Sequence, residues 1–530
     1  MQHHHIPFHN TGYFSQLMCD YLDENQDVKP FYNRFPNIEN FKNQIEEKRQ
    51  AFTLQSRITL ASVLTKQYQN IEASALTLQN IEQLKSENTF TVTTGHQLNL
   101  FTGPLYFLYK ITSAINLAAT LKQKYPESNF VPVYWMATED HDFEEINYFN
   151  FKGKKVQWNR NSSGAVGELS TEGLNDVFEA FSNELGSTKN AEVLKALFKT
   201  SYLEHDNLAD ATRFLANELF AAYGLVIVDA NDKELKKEFI PIIKDELLNQ
   251  TSYKSVSETN ERLSETYNIQ VNPREINLFY IHENLRERIV FEDASYKVLN
   301  TDIVWSKSEI QKVLLEHPEQ FSPNVIMRPL YQEVVLPNLC YIGGGGEIAY
   351  WFQLKDYFNA VNIPFPVLLL RNSVLIQTES QQKKLEQLNI SKEDIFLKRN
   401  SFINKKVREI SNIDIDFSAQ KKHLEQQFKA LYKLAEQTDK SFLGAVKSQE
   451  IKQLKGLSNL EKRLLKAQKK KLSEQVSRMT DIQNELFPSQ SLQERNTNFS
   501  EFYLEHGDQL IPNLINALEP LKGEFLILSL

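Results

Sequence analysis

The chain has 530 residues, 41% of them apolar, which is too long for one hydrophobic core and calls for two to four domains or large insertions. A net charge of −9 argues against nucleic acid as the main partner. No secretory leader and no apolar run near ~18 residues is visible, so a soluble, cytoplasmic protein without a membrane partner is expected. The only cysteines, Cys19 and Cys340, exclude a disulfide framework and a cysteine-built metal cage.

His3, His4 and His5 read as a solvated terminus. The rest of residues 1–88 has helical spacing and no visible chemistry. Residues 90–94 are a short β-prone run that ends at Gly95. Leu105, Leu108, Ile111, Ile115, Ala118 and Leu121 then recur as on one helix face. Residues 130–137 (FVPVYWMA) are almost continuously apolar, the pattern of a strand covered on both sides. A right-handed βαβ unit brings both strand ends to one edge. The polar loop 96–99 and the acidic loop 139–145 are therefore expected to share a crevice.

Residues 151–167 predict a hairpin followed by a loop. Residues 172–222 return to amphipathic helix, with Phe178, Phe181, Phe214 and Phe220 as core. Residues 224–230 (GLVIVDA) predict another buried strand, and Asp232 after it either caps the next helix or meets ligand. Within 270–305, NLFYIHE and RERIVFED predict an inserted β-hairpin. A second strand, glycine loop, helix and strand follow at 338–342, 343–346, 347–361 and 365–370, ending at Arg371. From 418 to 486 a four-and-three alternation through Leu424, Phe428, Leu431, Ala435, Thr438 and Phe442 predicts a coiled-coil hairpin. Its break is expected near 448–459, which contains Gly456. Ten Lys/Arg against three Asp/Glu within 447–478 read chiefly as a solvated face, with phosphate or nucleic acid the sharper alternative.

Gly95 and the run containing Gly343, Gly344 and Gly345 could each open a helix whose free N–H groups hold an anion. Neither matches the dinucleotide or phosphate-loop fingerprint. Five carboxylates and His141 crowd the acidic loop, which predicts raised carboxylate pKa values and acid/base work or an ammonium site. A metal would need His96 as its second imidazole and finds no H-E-x-x-H spacing, so none is assigned. Arg328 and Arg371 lie beside apolar segments and need partners. A ligand is favoured for Arg371, and ligand and protein carboxylate stand even for Arg328. These residues describe an α/β enzyme for an anionic, amine-bearing substrate.

Four strings, TGHQLNLFTGPLY, VPVYWMATEDHDFEEIN, FSPNVIMRPLYQE and SLQERN, stand in the order found in the BshC-type cysteine-adding enzymes of bacillithiol biosynthesis, which the whole chain resembles. The resemblance implies a Rossmann-like parallel-sheet core with inserted segments, over residues 1–417 with insertions near 151–222 and 255–330. It also implies an antiparallel coiled coil at 418–487, used for homodimerisation, and a segment at 488–530 that returns to the core. The implied reaction is a ligase's: an amide between cysteine and the amine of glucosaminyl-malate, with ATP or another nucleotide as activator and no permanently bound cofactor. His96, Gln97, Asn99, Thr102 and Gly103 would line the nucleotide- or substrate-facing corner, with Gln97 ahead of His96. Asp140, His141 and Asp142 would handle the amine, and Gln493, Glu494 and Arg495 would border a nucleotide pocket beside the coiled coil. No K-M-S-K-S-like loop is present. A nucleotidylyltransferase for another small acid and a non-catalytic coiled-coil scaffold are the alternatives.

Overall fold

A computed structural model describes residues 2–530. Its centre is a five-stranded sheet of β1 (Thr89–His96), β2 (Asn129–Met136), β3 (Val226–Asp229), β4 (Asn338–Gly343) and β5 (Val367–Leu370). All pairs are parallel, in the order β5-β4-β1-β2-β3. That is the Rossmann-like order, whose topological switch lies between β1 and β4.

The central β1 is polar by composition, yet Thr89, Thr91, Thr93 and Thr94 are fully buried. Their β-branched side chains suit a strand, and their hydroxyls find partners across the sheet. Thr93 donates to Asn338 Oδ1 at 2.8 Å and Thr94 to the Ile342 carbonyl at 2.8 Å. The helix α1 (Tyr106–Lys124) buries Leu108, Ile111, Ala118 and Leu121 against the sheet, on the face its spacing predicts.

Other expectations are met or shifted by local chemistry. Asp232 caps α2 (Lys233–Asn249), accepting from Glu234 N at 2.8 Å, so the capping reading holds. Phe181 and Phe220 are core, and the first hairpin pairs Tyr148–Phe151 with Lys154–Gln157. The inserted hairpin, Leu278–His282 with Leu285–Glu292, belongs to a five-stranded antiparallel sheet that ends at Phe321–Pro323. The helix after the glycine run starts at Gly345 as α3 (Gly345–Trp351) and gives way to a 3-10 turn and a separate helix, Lys355–Ala360.

Two expectations are corrected. Residues Gln2–Pro7 are not a loose terminus but a strand, paired antiparallel with Glu524–Ser529, in which His3 stays exposed and His4 and His5 are half-buried. The apolar C-terminal strand, which also pairs in parallel with Val374–Gln377, needs that partner on its second edge. In the coiled coil, α4 (Ser418–Ala435) turns at residues 436–439 into the 32-residue α5 (Lys440–Lys471). The expected break at 448–459 is continuous helix. Gly456 costs that helix about 1 kcal/mol and does not interrupt it, whereas Asp439 caps α5 by accepting from Ser441 N at 2.8 Å. Tyr432 meets Glu450 and Lys421 meets Glu461, so the two helices run antiparallel. Their seam is Leu424, Phe428, Tyr432, Ala435 and Val446. Leu431 and Phe442, expected in it, are exposed. Beyond α5, α6 (Ser473–Leu486) returns to the core.

Candidate active site

A cavity of about 590 Å³ lies at the switch point. Its floor is Gly95, His96 and Gln97 from the end of β1, Tyr341 from β4, Lys110 from α1 and Glu347 from α3. Asp140 and His141, after β2, form one wall. The inserted segments supply the roof, with Arg274, Arg286, Arg288 and Arg328. The shared crevice expected from the βαβ unit is therefore present, and arginines cover it.

Those arginines reverse the expected electrostatics of the acidic loop. Asp140 Oδ2 is 3.3 Å from Arg328 Nη1 and 3.4 Å from Gln97 Nε2, while its Oδ1 accepts from His141 N at 2.9 Å. Burial opposes the charge, but Arg328, the backbone N–H of His141 and Arg286 outweigh it and hold the carboxyl well below the usual range. The predicted rise is thus a fall, because guanidiniums and not carboxylates are its nearest charges. The sign for stability follows. A depressed carboxyl stabilises the fold above its unfolded pKa of ~3.9 and loses that contribution as pH falls below it. Asp140→Asn should therefore flatten the pH dependence of the thermal unfolding midpoint below about pH 4, which unfolding curves on the acid side would check.

Glu139, His141 and Glu145 of the loop are tied down as well. Glu139 forms a buried ion pair with Lys236, whose Nζ also donates to the Phe321 carbonyl at 2.7 Å. Gln97 Nε2 donates to Glu145 Oε2 at 2.8 Å. Arg286 Nη1 lies 2.7 Å from His141 Nδ1. A guanidinium only donates, so Nδ1 is an acceptor and the ring proton sits on Nε2. Asp142 is exposed and does not border the cavity. In this geometry Asp140 is paired with Arg328 and the Nδ1 of His141 is engaged by Arg286.

The glycine corners also differ from expectation. A loop of residues 97–105 separates Gly95 from α1, and the start of α1 is covered by the C-terminal segment. Leu105 N donates to the Thr497 carbonyl at 2.8 Å, and Asn498 Nδ2 donates to the carbonyls of Phe101 and Gly103. Asn99 donates to the Glu145 carbonyl. Gly103 has a φ of 62°, and a Cβ there would stand 2.6 Å from Asn99 Cβ. Thr102, also at positive φ, lies beside the buried His96 ring. Burial first, and Lys110 second, hold that imidazole well below its ordinary pKa, hence neutral. Asn99, Thr102 and Gly103 shape the loop without bordering the cavity. At the second corner, Gly343 ends β4, Gly344 precedes α3 and Gly345 opens it, and none borders the cavity. Glu347 of the same helix places its own carboxylate there, as the 3.5 Å from its Oε1 to a Cβ built on Gly344 shows.

Arg371 is a protein joint and not a ligand arm. Its Nη2 donates to Glu494 Oε1 at 2.7 Å, Nη1 donates to the Asn372 carbonyl at 2.9 Å, and the guanidinium lies over the Tyr106 ring. Gln493 both accepts from and donates to the backbone of Ile376. Arg495 is exposed and borders neither large cavity. The second cavity, about 700 Å³ where α6 meets the core, is bordered by Gln493 but also by Glu485, Glu501 and Glu505. Lys152 borders it too, beside those carboxylates.

Several site residues escaped the sequence reading. Lys110 was hidden among the apolar positions of α1, and Glu347 in the first turn of α3. Lys110 Nζ donates to the Gly95 carbonyl at 2.7 Å and pairs with Glu347 at 2.6 Å. Arg286 and Arg288 had a signal: spaced by two on a strand, they share a face. No group of side chains that could hold a metal ion occurs among the described residues, nor any helix long and apolar enough to cross a membrane.

Residues 1–372 match a family model described as the N-terminal Rossmann-like domain of bacillithiol biosynthesis BshC, and residues 374–530 match its C-terminal coiled-coil domain. The chain belongs to the BshC family. Relatives provisionally named cysteine ligase BshC include one from Flavobacterium johnsoniae, 63% identical over 99% of both chains. Another, from Christiangramia forsetii, is 59% identical over 99% of this chain and 98% of its own. A Bacillus cereus member is 29% identical over 94% and 95%. The BshC division at residues 372 and 374 falls just after Arg371, where the strand Val374–Gln377 leaves the Rossmann-like sheet for the small terminal one.

Proposed function

We propose that this chain is a cysteine ligase that joins the carboxyl carbon of cysteine to the amine of glucosaminyl-malate, producing bacillithiol. The names of its relatives support the reaction. The observation that carries it here is a cavity at the Rossmann-like switch point that sets arginines opposite the carboxylate of Glu347. Such walls suit substrates that bear carboxylates and an amino group together. In the reaction a C–N bond forms, the bond from the cysteine acyl carbon to its activating group breaks, and the amine loses a proton. The activating group comes from a co-substrate, ATP or another donor.

Purified protein given cysteine, glucosaminyl-malate and ATP or a panel of other donors should form bacillithiol, read by mass spectrometry. Cells lacking the protein should accumulate glucosaminyl-malate, and unchanged bacillithiol in them would sink the reading. Pyrophosphate exchange driven by a different carboxylic acid would favour the nucleotidylyltransferase alternative.

Homodimerisation through the coiled coil is part of the proposal. Leu431, Leu434, Phe442 and Leu443 are 40 to 52% exposed beside the hairpin turn, outside the intrachain seam. An apolar group of this kind marks an interaction surface. Leu434→Lys combined with Phe442→Lys should convert a dimer to a monomer in light scattering. Equal masses for variant and parent would place the interface elsewhere.

A further inference from the structure

The cations around the cavity are not equivalent. Arg328 is paired with Asp140, Arg286 lies on His141, and Lys110 is buried against Glu347. Arg274 and Arg288 also border the cavity, and no ion pair or side-chain hydrogen bond engages either among the described residues. Arg286 keeps its buried Nε without a partner. The roof thus carries donors that the protein leaves unused.

The floor carries the complementary group. Glu347 receives Lys110 Nζ on both oxygens, at 2.6 and 2.8 Å, and the Tyr341 hydroxyl at 2.8 Å. A carboxylate offers about four acceptor sites, so one remains. The side chain is 29% exposed and borders the cavity. Lys110 and Tyr341 hold the carboxylate still, so a ligand ammonium would meet a preformed acceptor.

We infer that the cavity takes the amine-bearing substrate in one polarity, with its carboxylates on Arg274 and Arg288 and its amino group on Glu347. This rests on the proposed reaction and assigns specificity-determining residues within it. Glucosaminyl-malate carries its malyl carboxylates on the C1 oxygen and its amine on the adjacent C2, so both charged groups are presented together to a cavity that the free arginines and Glu347 line in common. A phosphate would answer to the same arginines, so the test includes ATP.

Calorimetric titration of the full-length protein separates the cases. Arg274→Gln with Arg288→Gln should weaken glucosaminyl-malate by about 10- to 100-fold, the scale of charged hydrogen bonds, and leave methyl glucosaminide unchanged. Glu347→Gln should weaken both amino sugars by about tenfold while L-malate binds as before, which also shows that the variant is folded. Unchanged binding of glucosaminyl-malate to the arginine variant would overturn the inference and leave the proposed reaction standing. Loss of ATP affinity with malate unaffected would overturn it too, by giving the arginines to phosphate. A parent protein that binds L-malate through these arginines but not glucosaminyl-malate would overturn the proposed reaction and the Glu347 assignment together.

Discussion

Asp140→Ala is expected to lower kcat/KM for bacillithiol formation by about 100-fold, the cost of misplacing a reacting geometry by roughly 1 Å. One carboxylate there joins three walls of the cavity. It holds Arg328 from the roof, Gln97 from the end of β1, and the backbone of its own loop at His141. Truncation leaves Arg328 without its anion beside Arg286, whose pKa is already lowered to about 10 by burial and by Arg328. The two guanidiniums would move apart, and the floor would lose its bridge through Gln97. Asp140→Asn preserves the shape and one acceptor oxygen but not the charge, so its loss should be intermediate. Steady-state kinetics on folded variants decides the matter. Activity of Asp140→Ala within about threefold of the parent, well short of that loss, would show that Asp140 does not organise the site.

The largest stability effect is expected from Glu494→Ala. Glu494 and Arg371 are 1% and 3% exposed, and the same carboxylate accepts from Ser373 Oγ at 3.2 Å and Val374 N at 3.0 Å. Removing one partner leaves a buried cation and an unpaired backbone N–H, at a cost of about 3 to 5 kcal/mol. Glu494→Gln keeps one of the two acceptor oxygens and should cost less. Urea unfolding of the full chain would measure both. A loss under about 1 kcal/mol, the level of a surface pair, would mean that water or another group replaces the carboxylate.

These two residues show how unevenly the site was legible. Asp140 stood in a dense acidic string after an apolar run, and that placed the crevice correctly. Its charge behaviour was misread because Arg328 lies 188 residues further along. Glu494 stands within SLQERN, where the family resemblance places it at a nucleotide pocket. Its partner Arg371, read as a ligand arm, is 123 residues away. The coiled coil was legible in its extent and misread in its turn, since an isolated glycine weakens a helix without ending it. Arg286 and Arg288 were in view within RERIVFED, yet alternation alone does not tell which face of an inserted strand meets a distant cavity.

What the sequence determined by itself is local and periodic: β1, α1 and β2, the acidic loop at a strand end, the buried runs of β3 to β5, and the helical hairpin. Apolar periodicity is a property of neighbouring residues, and burial of that pattern needs no knowledge of the partner. Only the tertiary structure decided which charges meet. Asp140 with Arg328, Lys110 with Glu347 and Arg371 with Glu494 each join distant segments, and a charge's behaviour depends on its neighbours in space.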